Sequence, residues 1–238
     1  MCGASRGAHL PSANPPPKAL TLADVERAGL ARGVRLETSF IGPFFRVSAR
    51  PLEESGDSPS ILGVHEGLLL PLPGLSLLHM DSVRVFETEL SRPRGRQKRG
   101  RQPPGEAEAG DAGQSAGESA GAAESRQNLR RMFGLSVLLG AVGVLHARNL
   151  GCEHAELLAI HDADFAHKRL VKFYTRLGFT AVRYVSGEKV QDVPDLLVWG
   201  GRGTLMRAPV ADLVRRWTPT ILKQAAETTQ AAHAKPGP

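Results

Sequence analysis

The sequence predicts one α/β domain with extensions. Three observations carry that reading. Apolar residues make up 41% of a 238-residue chain, enough for a real core. Short apolar, β-branched runs recur between segments whose apolar residues fall at helical spacing. Glycine, proline and small polar residues punctuate the joins.

The elements follow in order. Thr21 to Arg32, TLADVERAGLAR, reads as a short helix, with Thr21 and Asp24 where a cap and a first-turn acid belong and Gly33 as its stop. Val34 to Leu52 reads as one or two strands broken at Gly42 and Pro43, and Glu53 to Ser60 as a polar turn. Ile61 to Phe86, ILGVHEGLLLPLPGLSLLHMDSVRVF, places two apolar strands around a Pro-Leu-Pro-Gly turn, an antiparallel pair. Ser91 to Ser125 is different: a basic run (Arg92, Arg94, Arg96, Lys98, Arg99, Arg101), then Gly, Ala, Glu, Ser and Gln. Such a segment buries too little surface to offset its ordering entropy, so a disordered insertion is expected.

Order returns at Gln127. Met132 to Arg148 reads as a helix apolar on most sides, and Ala155 to Ile160 as a strand. Asp164 to Leu177 reads as a helix with Lys168, Arg169 and Lys172 outward. Phe179 to Val185 and Asp195 to Trp199 read as strands, the second followed by a turn containing Gly200, Gly201 and Gly203. Pro209 stands where a helix would open. The domain is expected over 21–215, interrupted at 91–125, with a disordered N-terminus over 1–20 and a C-terminal tail over 216–238 whose end, from Gln224, reads as frayed.

Bulk properties narrow the function. Thirty basic residues against 24 acidic ones give +6. That suits an anionic small ligand or weak nucleic-acid contact, but arginine spread over a solvated surface is the simpler reading, for the basic run as well. Cys2 and Cys152 support neither a disulfide framework nor a zinc knuckle, which favours a reducing compartment. The best membrane candidate, Met132 to Leu145, falls short of the ~20 apolar residues a bilayer requires. The first 23 residues carry no acid, two basic residues and much Ala, Pro and Ser, compatible with an organelle transit segment.

Two motifs bear on chemistry. Residues 173–179 read FYTRLGF: Leu170, Phe173, Tyr174 and Leu177 mark one helical face, and Gly178 suits a left-handed residue just past the last turn. Everything in that string has a packing role except the Tyr174 hydroxyl. Residues 130–136 read RRMFGLS, where a glycine before a helix lets backbone approach a ligand and the helix start offers free N–H groups to phosphate. Taken alone, that string reads by default as a plain helix entry.

In combination (strand, Arg131-Met132-Phe133-Gly134-Leu135-Ser136, helix, strand, helix, Tyr174-Thr175-Arg176-Leu177-Gly178-Phe179) the chain resembles the GNAT superfamily of N-acetyltransferases over roughly 61–90 and 127–205. The form found in plants and algae is the most similar, which makes a chloroplast the expected compartment and the cytoplasm the alternative. Ser136 stands where the family has Gly or Ala, and the insertion between strand and loop is a departure from its pattern. The resemblance implies a GNAT-like mixed, largely antiparallel central sheet with helices on both faces. It implies acetyl-CoA as co-substrate and an amine, on a protein or a small molecule, as acceptor. The backbone of Val83, Arg84 and Val85 would pair with the pantetheine arm, and the N–H groups from Arg131 to Ser136 would wrap the pyrophosphate. Tyr174 would protonate the leaving thiolate, a general-acid contribution of ~10²–10⁴ in rate.

The base is sought on the strand bordering the acceptor pocket, among His79, Asp81 and Glu87, with Asp81 first choice; a capping or turn role for Asp81 is the competing reading. Alternation puts His79, Asp81 and Val83 on one face, and Ser82 and Arg84 on the other. The HDADFAH string (His161, Asp162, Asp164, His167) has metal-ligand character, but a helix cap at Asp162 or Asp164 is the stronger reading and no metal is expected. A degenerate domain that binds CoA or a protein partner without turnover is the alternative function.

Overall fold

Thr21 is the N-cap of α1 (Leu22–Ala31), as its spacing predicts. Its hydroxyl accepts the Asp24 N–H at 3.2 Å, and the Asp24 carboxylate accepts the Thr21 N–H at 3.1 Å, a reciprocal capping box. Burial alone would raise the Asp24 carboxyl, but bonds from Thr21, Lys18 and Arg27 outweigh it and hold it at about 2. The computed structural model that shows this describes residues 18–52, 60–86, 114–189 and 192–233, with backbone alone for 75, 114–129, 194–195 and 228–233. Residues 1–17, Glu87 and the basic run lie outside the described residues.

Among the described residues seven strands form one sheet in the order β1-β2-β3-β4-β5-β7-β6. They are β1 (Val34–Ile41), β2 (Phe44–Pro51), β3 (Gly63–Leu72), β4 (Leu75–Val85), β5 (His154–Ile160), β6 (Thr180–Val185) and β7 (Gly203–Pro209). All neighbours are antiparallel except β4 and β5. The expected mixed, largely antiparallel sheet is therefore present. Among the described residues there are four further helices: α2 (Gln114–Asn149), α3 (Asp164–Leu177), α4 (Val193–Trp199) and α5 (Val210–His233).

Side-chain alternation separates the faces. Ala155, Leu157 and Ala159 of β5 join a core shared with α1, α2, α3 and α5. Leu158 joins Val185 and Leu205 in a small cluster against Leu196 and Trp199 of α4. Successive residues of a strand point to opposite faces, so four helices cover one face and α4 lies on the other.

Four sequence expectations change here. Asp195 to Trp199 is helix, not strand, and the strand lies after the glycine turn. Pro209 ends that strand rather than opening a helix. The expected tail is instead the body of α5, whose Trp217, Ile221 and Ala225 are buried. Residues 114–125, expected as disordered insertion, are the first turns of α2. Ala, Glu, Gln and Ser in that stretch tolerate helix, and no proline interrupts it. Within α2, Arg130–Asn149 is long and apolar enough to cross a bilayer, beyond the shorter span read from sequence, but most of it is buried against the sheet and neighbouring helices.

Candidate active site

The parallel junction of β4 and β5 is short. Leu77, Leu78 and His79 pair with His154, Ala155 and Glu156, and beyond that the strands part. On the four-helix face α2 packs on β2, β3 and β4, whereas α3 packs on β5, β6 and β7. The parting thus lies between the two helices, and that junction is termed the cleft. Phe133 of α2 and Phe173 of α3 meet edge-on across it at 5.8 Å.

The α3 wall holds Tyr174. Gly178 has φ of 114°, the left-handed C-cap expected from FYTRLGF, and its N–H donates to the carbonyls of Tyr174 and Thr175. The chain then turns so that Phe179 is 1% exposed. Tyr174 is 9% exposed, with its ring 5.3 Å from Phe173 and 6.2 Å from Phe179. Among the described residues no group hydrogen-bonds its hydroxyl. Burial pushes that phenol up to about 12, so at neutral pH it is a proton donor.

The β4 wall supplies an edge. Val83, Arg84 and Val85 pair with His65, Val64 and Gly63 of β3, and among the described residues no strand pairs with their side toward β5. One irregularity resets their faces. Glu66 pairs with Ser82 and Gly67 with Met80, so Asp81 is an unmatched bulge residue. Val83 and Val85 consequently pack on the core that holds Leu78 and Met80. The predicted shared face of His79, Asp81 and Val83 does not survive the extra residue.

Asp81 is exposed. His79 is 3% exposed, at the last paired position where the strands part, and its ring stacks on Trp199 at 3.8 Å and 27°. Burial lowers the His79 imidazole, opposed by the charges of Asp81 and Glu156. Glu156, its cross-strand partner, is in turn bound by Arg207. Trp199 and Glu156 escape sequence reasoning: the α4 segment reads as a strand there, and nothing near Glu156 in the chain points to His79.

The RRMFGLS segment differs most from expectation. Arg131 to Ser136 lie inside α2, where helical geometry commits each amide to the carbonyl four residues earlier. The free N–H cradle is absent from this conformation. Leu135 and Ser136 are buried, and the Ser136 hydroxyl donates to the Met132 carbonyl at 3.0 Å. Gly134 makes room for a side chain: the Arg32 guanidinium occupies the space a Cβ would need. Arg32 Nε donates to Gln224 Oε1 of α5 at 3.1 Å, tying α1, α2 and α5 together. Arg131 and Phe133 remain solvent-facing and Met132 is half-buried.

Neither aspartate of HDADFAH caps α3. The N-cap is Ala163, without a side-chain bond, and Asp164 binds His161 instead. Among the described residues no group of three His, Cys, Asp or Glu is arranged to hold a metal.

No family model and no curated protein matches the chain. Solved structures do show a loose likeness. An acetyltransferase of the GNAT family from Staphylococcus aureus shares 9% identity at a TM-score of 0.38, covering 71% of this chain and 68% of that one. For nourseothricin acetyltransferase the figures are 13%, 0.37, 81% and 96%. For the ribosomal-protein-S18-alanine N-acetyltransferase of Escherichia coli they are 10%, 0.36, 81% and 92%. Identities and TM-scores this low assign no substrate and no residue role.

Proposed function

We propose that the chain is a GNAT-type N-acetyltransferase that moves an acetyl group from acetyl-CoA to an amine by direct attack. One observation carries the reading: a buried, neutral phenol, without a hydrogen-bond partner among the described residues, stands on the helix beside the junction where two parallel strands part. The unpaired edge of Val83 to Val85 suits the amides of an extended pantetheine arm. Arg130 lies one turn before Phe133, on the same side of α2, and is exposed. Its guanidinium suits a diphosphate in place of the closed loop amides.

In this reading the amine attacks the thioester carbonyl, and the C–S bond breaks as Tyr174 donates its proton to the departing thiolate. Holding both substrates together supplies much of the acceleration. The amine's proton passes to His79 or, through water, to Asp81. His79 stands at the parting of the strands but lies beneath Trp199; Asp81 is open to solvent.

A second reading has a specific observation behind it. With the Arg131–Ser136 amides committed to helix, a domain that binds CoA without turnover is the alternative. Calorimetric titration with acetyl-CoA followed by an amine screen separates the two. Binding with product supports acetyl transfer, binding without product supports the alternative, and no binding overturns the cleft as a CoA site.

A further inference from the structure

The HDADFAH string has a role unconnected with the cleft. His161 follows β5, and Asp164 and His167 lie in the first turn of α3. Tyr184 and Thr204 face each other across β6 and β7. The His161 imidazole uses both nitrogens: Nε2 lies 2.7 Å from Asp164 Oδ1, and Nδ1 lies 2.6 Å from the Tyr184 hydroxyl. His167 stacks flat on it at 4.4 Å and 14°, with Nε2 3.0 Å from the Thr204 hydroxyl.

This network fixes proton positions. The bond from His161 holds the Asp164 carboxyl below its usual range, so near neutrality it is ionised and can only accept. Neutral His161 must therefore carry its hydrogen on Nε2. Nδ1 is then an acceptor, and the Tyr184 O–H donates to it. A carboxylate orients an imidazole, and the imidazole's lone pair faces the O–H of a tyrosine that is 46% exposed as a residue.

We infer that Asp164, His161 and Tyr184 form a base-activated nucleophile outside the cleft, with the Tyr184 oxygen as the acceptor of acyl groups from activated acyl esters. As the phenol oxygen attacks the acyl carbonyl, its proton moves to His161 Nδ1. The tetrahedral adduct collapses with cleavage of the bond to the leaving oxygen or sulfur. That leaving group takes the proton from Nδ1, so the products are the Tyr184 acyl ester and the protonated leaving group. Neither Tyr174 nor any other cleft residue takes part.

The chain has two tyrosines, and the other provides an internal control. The full chain is incubated with p-nitrophenyl acetate near neutral pH, p-nitrophenolate release is followed, and acetylation is mapped by mass spectrometry. Tyr184 is expected to acetylate about 10²-fold faster than N-acetyltyrosinamide in the same buffer, with Tyr174 unmodified. His161→Gln is expected to remove that advantage, Asp164→Asn to reduce it about tenfold or more, and Tyr184→Phe to abolish the labelled peptide. A wild-type rate no greater than that of the free amide, which requires no variant to fold, overturns the assignment. So does a rate unchanged in His161→Gln.

Discussion

The two ends of α3 treat a tyrosine in opposite ways. At its C-terminus Tyr174 is buried with no bonded partner; beside its N-terminus Tyr184 is half open to water and bonded to His161. The histidines divide similarly. His65 is fully buried, with Nδ1 bonded to the Leu139 carbonyl and Nε2 without a partner, while His161, partly open at the end of β5, uses both nitrogens. Buried polar groups are ordinarily the partnered ones. At Tyr174 and His65 desolvation sets the protonation state, whereas at buried Asp24 hydrogen bonds outweigh it. At the surface, hydrogen bonds set the tautomer.

The largest effect expected from breaking that contrast is on turnover. Tyr174→Phe keeps the ring and removes the donor, so acetyl transfer should fall about 10²-fold or more with acetyl-CoA affinity unchanged in calorimetry. A parallel loss of affinity would mean that the residue serves packing.

Removing a buried ring outright comes next. Phe179→Ala should cost about 3–5 kcal/mol in denaturant unfolding. Phe165, 73% exposed at the other end of α3, should change stability by less than about 0.5 kcal/mol on the same substitution.

His65 sharpens the comparison through pH. Its imidazole is lowered by burial to about 4, from an ordinary 6.5. Between those values the unfolded chain binds the proton and the folded chain does not. Stability should therefore rise with pH through that window, and acidification from 6.5 to 4 should remove about 3 kcal/mol. His65→Leu should flatten this part of the profile, measured as urea unfolding at pH 7 and pH 4.5. An unchanged slope would mean that the interior does not hold this imidazole neutral.

The smallest effect tests the seat of Arg32. Gly134→Ala puts a methyl where the guanidinium lies, and the flexible side chain can withdraw. The expected cost is about 1 kcal/mol, because the gain in helix propensity offsets part of the lost packing. A gain in stability would show that the Arg32 contact contributes little.

Legibility in the sequence followed the range of the interactions. The Thr21–Asp24 box, the β1–β2 and β3–β4 hairpins and the Gly178 cap depend on neighbours a few residues away, and all are present. The site was legible only in part. Tyr174 lies on the inner face of α3 as its spacing requires, whereas Arg131 to Ser136 do not form a loop. The start of α2 was misread because a small, polar composition resembles disorder and also tolerates helix. Residues 195–199 were misread because a short apolar run has no period long enough to separate helix from strand.

What the sequence determined by itself was local: caps, turns, and the amphipathic face that carries Tyr174 inward. These follow from dihedral preferences and short-range hydrogen bonds. Only the tertiary structure decided that Arg32 would fill the space over Gly134, that Trp199 would cover His79, and that His161 would meet Tyr184. Those meetings depend on how the sheet twists, where β4 bulges and which helix covers which face. A bulge of one residue reverses the facing of every side chain after it, and no local preference registers the change.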